Sequence, residues 1–183
     1  MDSDKRYDRA AWLGEALDVL SEQGSTKLTV RNISERLGVT TGSFYWHFKS
    51  RHDFIRAIAE YWQLVFTDAI ANEVGSSSED PREQLYTLMK ILTEREIPRY
   101  DRAVRVWAAM DEDIADIVKV VDRTQMDFVG HLFLKIGFEG ADLDMRTRTF
   151  VVFMNSEPGW AHDLTKSEKL KAMKLRYKWF VSR

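Results

Sequence analysis

The sequence predicts an all-α fold of about nine helices, arranged as a small N-terminal unit (residues 1–51) and a larger helical body (52–183). Three observations lead there. Apolar residues recur three and four positions apart along most of the chain, the period of a helix with one buried face. Glycine (9) and proline (3) are sparse, which disfavours turn-rich β structure. Between Leu28 and Arg51, two short stripes stand either side of a single glycine, as two helices joined by a tight turn would.

Asp8 to Gln23 reads as the first helix, with Leu13, Ala16, Leu17 and Leu20 in one stripe and Gly24 closing it. Thr29 stands where an N-cap belongs, because its hydroxyl can accept from an orphan backbone N–H. Val30, Ile33 and Leu37 form one face of a second helix, which Gly38 ends; Val39 plugs the turn. Thr40 is placed to cap a third helix over Thr41 to His47. On it Phe44 and Phe48 face inward, and Thr41, Gly42, Tyr45 and Trp46 face partly outward.

Ser50, with Asp53 as its reciprocal acid, starts a long helix to about Glu73. Phe54, Ile55, Ile58, Trp62, Val65, Phe66 and Ile70 make its apolar face. The run GSSSEDP from Gly75 to Pro81 is a surface loop, and a helix from Pro81 to about Thr93 comes next. Pro98 marks a start, with Asp101 to Met110 helical. Asp111, Glu112 and Asp113 head a helix to about Lys135, where the helix dipole favours acids. Gly137 and Gly140 bracket a break. Two last helices, Asp142 to Asn155 and Thr165 to Val181, are joined by Ser156-Glu157-Pro158-Gly159.

Two short helices around a glycine turn form a helix-turn-helix, whose second helix enters the DNA major groove. The side chains suit that task. Threonine methyls and a glycine allow close approach to bases, and Tyr45, His47 and Lys49 can bond phosphates. Arg31 can reach a guanine edge or a phosphate. From Gly24 to Arg51 there are five Lys/Arg and one acid, +4 within a chain of net charge −2. The candidate DNA contacts are Thr29, Arg31, Thr40, Thr41, Gly42, Tyr45, Trp46, His47, Lys49 and Arg51. A plain helical hairpin with an exposed aromatic cluster would share the pattern.

The run TVRNISERLGVTTGSFYWHFKSR (29–51) closely resembles the signature of the TetR (tetracycline-repressor) family, roughly T-x-x-x-I-A-x-x-x-G-V-x-x-G-x-L-Y-x-H-F-x-x-K. Thr29, Ile33, Gly38, Val39, Gly42, Tyr45, His47 and Phe48 match. Ser34, Phe44 and Arg51 stand where alanine, leucine and lysine are commoner. The resemblance implies a DNA-binding transcriptional regulator. It also implies a body that holds a small hydrophobic effector, and a homodimer formed through a four-helix seam of the last two helices. Dimerisation also follows from the reader, since one short helix contacts too few base pairs and two readers on a palindrome solve this.

Other classes have little support. With no cysteine, disulfides, thiol catalysis and cysteine-ligated zinc are excluded, and a reducing cytosol fits. The N-terminus lacks an apolar core of signal-peptide length, and the longest apolar run, Phe150 to Met154, is too short for a bilayer. No metal-ligand spacing, phosphate-cradling loop or nucleophile arrangement appears, so no enzyme, cofactor or metal is expected. The body is rich in bulky apolar residues, which either fill the core or line an effector cavity. The candidate lining is Trp62, Phe66, Met89, Arg105, Trp107, Met110, Gln125, Met126 and Phe150, with Arg105, Gln125 or His131 as polar anchors. The expected protein is a cytoplasmic repressor released from a palindromic operator by its effector. The alternatives are a regulator without an effector, constitutive or partner-controlled, and an interaction module that no longer binds DNA.

Overall fold

In the computed structural model, which describes residues 7–156 and 164–182, Asp8 caps α1 (Arg9–Gln23) by accepting from Ala11 N at 2.8 Å. This helix buries Trp12, Leu13, Ala16, Leu17, Val19 and Leu20. α2 (Val30–Leu37) starts as the sequence predicts, with the Thr29 hydroxyl accepting from Asn32 N at 3.2 Å. It ends on Gly38, whose φ of +69° is left-handed, a conformation that a β-carbon would strain. Gly38 N and Val39 N then satisfy the Glu35 and Ser34 carbonyls.

The next segment differs from expectation. Thr41–Trp46 is a 3₁₀ helix, not an α-helix, and the Thr40 side chain makes no capping bond. The cap works through the backbone instead, with the Thr40 carbonyl accepting from Ser43 N at 3.1 Å and from Ser43 Oγ at 2.5 Å. The physical reason is length. Six residues pinned inward at Phe44 gain little from propagating an α-ladder, and short pieces tolerate the tighter winding.

Ser50 caps α3 (Arg51–Gln63) by accepting from Asp53 N at 3.0 Å. The expected reciprocal bond is displaced by one residue, since the Asp53 carboxylate accepts from Lys49 N at 3.1 Å. The long helix continues through a π turn at Leu64–Asp68 into α4 (Ala69–Gly75). Helical periodicity cannot foresee that wide turn, which changes the rotational phase of the helix beyond it. Thr67 is consequently buried while Val65 is only half-buried.

Asp80 caps α5 (Pro81–Glu94), α6 is Pro98–Ala108, and Asp111 caps α7 (Glu112–Ile136). α8 is Gly140–Ser156 and α9 is Lys166–Val181, the latter opened by a full capping box of Thr165 and Glu168. The connection expected at Ser156 to Gly159 lies outside the described residues beyond Ser156. α8 and α9 run antiparallel. Arg146 Nη1 donates to the Phe180 carbonyl at 2.8 Å, Phe150 meets Phe180 at 5.1 Å between centroids, and Arg176 lies over the Phe153 ring.

Two apolar clusters hold these elements. One joins the first helices to α3, α6 and α7 through Trp12, Phe44, Phe48, Phe54, Ile58, Trp62, Val104 and Ile114. The other fills the body with Leu85, Met89, Phe133, Phe150 and Phe180. Phe66, just inside the π turn, packs against both.

Candidate DNA interface and body cavity

The reading segment is anchored from behind by aromatic packing. Phe44 meets Trp12 at 5.7 Å, and Phe48 and Phe54 at 5.1 Å each, in edge-on or tilted contacts. With Phe44 and Phe48 inside, Thr41, Gly42, Tyr45 and Trp46 are exposed or half-exposed around one open face, Trp46 at 85%. A β-carbon placed on Gly42 would meet no other residue closer than 3.7 Å, so the fold itself does not require glycine there.

The remaining candidates surround this face. Lys49 and Arg51 are exposed at its end, and Thr40 is exposed at its start. His47 is half-buried, its ring 6.3 Å from Trp12. Thr29 is exposed, but its hydroxyl is engaged in the α2 cap. Arg31 is held by Glu35 at 2.8 Å, one turn along the same helix, and this partner raises the guanidinium pKa. Arg36 bonds both Glu15 and Glu22 of α1. The +4 counted along the chain therefore overstates the field at the reading face. Lys27, Lys49 and Arg51 lie outside these pairs, while two of the five basic residues are partly neutralised.

The body contains a cavity of about 50 Å³, partly open to solvent, beside the π turn. Of the nine residues expected around an effector, it brings together Phe66, Gln125 and Phe150. Trp62, Met89 and Trp107 sit in packed core, Met126 is half-buried against the body cluster, and Met110 is exposed at 70%. Arg105 is turned to Asp122 at 2.5 Å, and His131 is exposed. Sequence reasoning missed Thr67, Thr124, Phe128 and Leu92, which also line the cavity. Thr67 carried no signal, because only the π turn brings it inward.

Next to the cavity lies a polar cluster around a buried carboxylate, which the sequence did not reveal. Asp101 is 3% exposed and accepts from Trp62 Nε1 at 3.0 Å. The Asn155 amide lies 3.0 Å from Asp101 Oδ2 and 3.0 Å from Arg105 Nη2. Arginine can only donate, so the amide oxygen faces Arg105 and the nitrogen faces Asp101. Burial pushes the Asp101 carboxyl up to about 6, against the opposing pull of Arg105 and the Trp62 bond. The cluster ties α3 to α6, α7 and α8.

A second route connects the cavity to the reader. Phe66 stacks on Tyr100 at 4.6 Å and 12°. Tyr100 Oη in turn donates to Asp18 Oδ1 on α1 at 2.7 Å, and Arg99 Nη2 donates to the same oxygen at 2.9 Å. On the last two helices, Met145 and Val152 of α8 and Leu175 and Trp179 of α9 are all more than half exposed. Among the described residues, no helix is long and apolar enough to cross a membrane.

Comparison with known proteins agrees with this geometry. The family model "Bacterial regulatory proteins, tetR family" matches residues 13–58, which hold most of α1, all of α2, the reading segment and the start of α3. The class C tetracycline repressor protein of Escherichia coli is 40% identical over 55 residues, 30% of this chain and 25% of that protein. The HTH-type transcriptional regulator AcrR of Shigella flexneri is 32% identical over 80 residues, 44% of this chain and 36% of its own length. The chain thus spans only about a quarter to a third of these relatives' lengths. The crystal structure of AibR in complex with isovaleryl coenzyme A and operator DNA superposes with a TM-score of 0.71 over 94% of this chain and 97% of that one, at 15% identity. The all-helical fold of that regulator therefore extends over nearly the whole chain, and residues 13–58 match the N-terminal domain of the tetR family of bacterial regulatory proteins.

Proposed function

We propose that the protein is a dimeric, DNA-binding transcriptional repressor, acting in the cytoplasm, that leaves a palindromic operator when a small hydrophobic effector enters the body cavity. The observation that carries DNA binding is the open face of Thr41, Gly42, Tyr45 and Trp46, held rigid from behind by Phe44 and Phe48. Lys49, Arg51 and Arg31 grip the strands. Arg31 exchanges an exposed pair with Glu35 for the DNA, and exposed pairs of this kind are weak, so the exchange is favourable. The apolar residues left open on α8 and α9 support the homodimer, each copy covering the other's Met145, Val152, Leu175 and Trp179.

Effector control rests on the chain of contacts from the cavity to α1. An effector that displaces Phe66 moves the stacked Tyr100, and with it the Asp18 bond that orients the reader. Two readers must match two half-sites about one DNA turn apart, so a small rotation of each is enough to lose the operator. Coupling of this kind is typically worth about 5- to 150-fold in affinity.

The test is fluorescence anisotropy on the DNA upstream of the protein's own gene, against random duplex, at two salt concentrations. The wild type should prefer the former and lose affinity with salt. Gly42→Ala should leave the thermal midpoint nearly unchanged, because the new methyl has room within the protein. It should weaken operator binding by about tenfold or more, because the methyl projects toward the bases. An equal preference for all duplexes would remove the proposal. Tyr100→Phe should keep effector binding but shrink effector-induced release, since the hydroxyl to Asp18 is the link removed. Full release in that variant would show that coupling runs elsewhere. A regulator without an effector is the second reading; it is favoured by the small size of the cavity, well below the roughly 300–1,000 Å³ of drug-sized sites.

A further inference from the structure

We infer that the cavity beside the π turn takes a small uncharged ligand, apolar along its body, whose one hydrogen-bonding group is received by the Thr67 hydroxyl. This deepens the effector reading above and rests on it. Thr67 is 7% exposed, lines the cavity, and its Oγ1 is buried with no hydrogen-bond partner among the described residues. A buried hydroxyl without a partner is destabilising, and native proteins seldom keep one without a use.

The wide turn explains why the hydroxyl is unpartnered. Threonines in this protein's α-helices regularly bond the carbonyl four residues back, as Thr93 does to Met89 and Thr147 does to Leu143. Thr67 sits within the π turn and does not make that bond. The turn thus brings Thr67 into a wall that is mostly apolar, with Phe66, Ile70, Leu88, Phe128 and Phe150, and whose other polar residues are Thr124 and Gln125. π turns of this type are frequent at functional sites.

The lining also determines charge. None of the residues around the cavity is Asp, Glu, Lys, Arg or His. The charges of the neighbouring polar cluster are already engaged, Asp101 by Trp62 and Asn155, and Arg105 by Asp122 and Asn155. A carboxylate or ammonium held there would lose its hydration and meet no opposite charge, which strongly disfavours it. A hydroxyl, ketone or amide loses little, because Thr67 can both donate and accept.

The experiment titrates the full-length protein with four probes, followed by methyl NMR shifts of the cavity residues and by thermal midpoint. The probes are xenon under pressure, butan-1-ol, butanoate and butylammonium. Xenon is small enough for the site and needs neither hydrogen bond nor counter-charge. The expected result is that xenon and butanol bind the cavity, and that both ions bind at least about tenfold more weakly than butanol. Thr67→Val replaces the hydroxyl with a methyl of similar shape. It should raise the midpoint of the free protein by about 2–4 °C, keep xenon binding, and weaken butanol by about tenfold. Either ion binding as well as butanol, or the variant binding butanol like the wild type, overturns the inference and leaves the effector reading standing. If no probe, xenon included, perturbs the cavity residues, the effector reading falls with it.

Discussion

Replacing Phe44 with alanine should lower the unfolding free energy by about 3–5 kcal/mol, the usual cost of emptying a buried aromatic site. Phe44 is 1% exposed and is ringed by Trp12 of α1, Phe48 and Phe54 of α3. It is therefore the pin through which the reading segment is attached to both neighbours. Because the cluster continues through Trp62 and Val104 to Ile114, the loss should register in the whole cooperative transition and not in a local one. Against a typical stability of about 5–15 kcal/mol this is a large fraction, and operator binding should fall with it. Tyr45→Ala is the control. Tyr45 is 71% exposed, so the urea midpoint should hardly move while DNA affinity falls. Equal loss of stability in both variants would contradict the division into an anchoring and a reading face.

The second large effect is a pH dependence set by Asp101. Its folded pKa, about 6, lies above the roughly 3.9 of an unfolded aspartate, so the native state holds the proton more tightly. Below pH ~4 both states are protonated, and the stabilising contribution is fully present. Between about 4 and 6 the unfolded state releases its proton first, and stability falls as pH rises through the folded pKa. The gap between the folded and unfolded values corresponds to at most about 3 kcal/mol. Asp101→Asn keeps an oxygen to accept from Trp62 Nε1 but cannot titrate. The difference in unfolding free energy between wild type and variant, measured by urea at about pH 4.5 to 7.5, should therefore shift against the wild type as pH rises. A difference that stays flat across this window would falsify the assignment. The effect links the reader-bearing helix α3 to the body, since the bond from Trp62 is the one that the ionised carboxylate strengthens and burial opposes.

How far the sequence was legible depends on how local the cause was. Thr29, Ser50 and Asp111 cap helices as expected, because a cap is a bond between a side chain and a backbone group within three residues; Thr40, expected to do the same, does not. Gly38 ends α2 for an equally local reason, its left-handed φ. The inward pair Phe44 and Phe48 follows from spacing alone, which leaves Tyr45 and Trp46 outward. Thr41–Trp46 shows the limit: over so few residues, spacing does not distinguish an α turn from a 3₁₀ one, because both bring residues three apart onto one side. The body cavity was less legible still. Bulky residues such as Met89 and Trp107 look alike in sequence whether they fill a core or line a space.

By itself, then, the sequence determined the all-α class, several of the helix ends such as those at Thr29, Gly38 and Ser50, and the two-sided character of the reading segment. Each of these depends on contacts within one or two helical turns. Tertiary structure alone decided that Arg36 is partly neutralised by α1, that Arg105, Asp122 and Asn155 gather around the buried Asp101, and that Thr67 turns inward beside Phe66, Gln125 and Phe150. Those residues come from helices far apart in the chain, joined by a turn wider than the helical period. Their charge, burial and solvation are set by neighbours that no local pattern can supply.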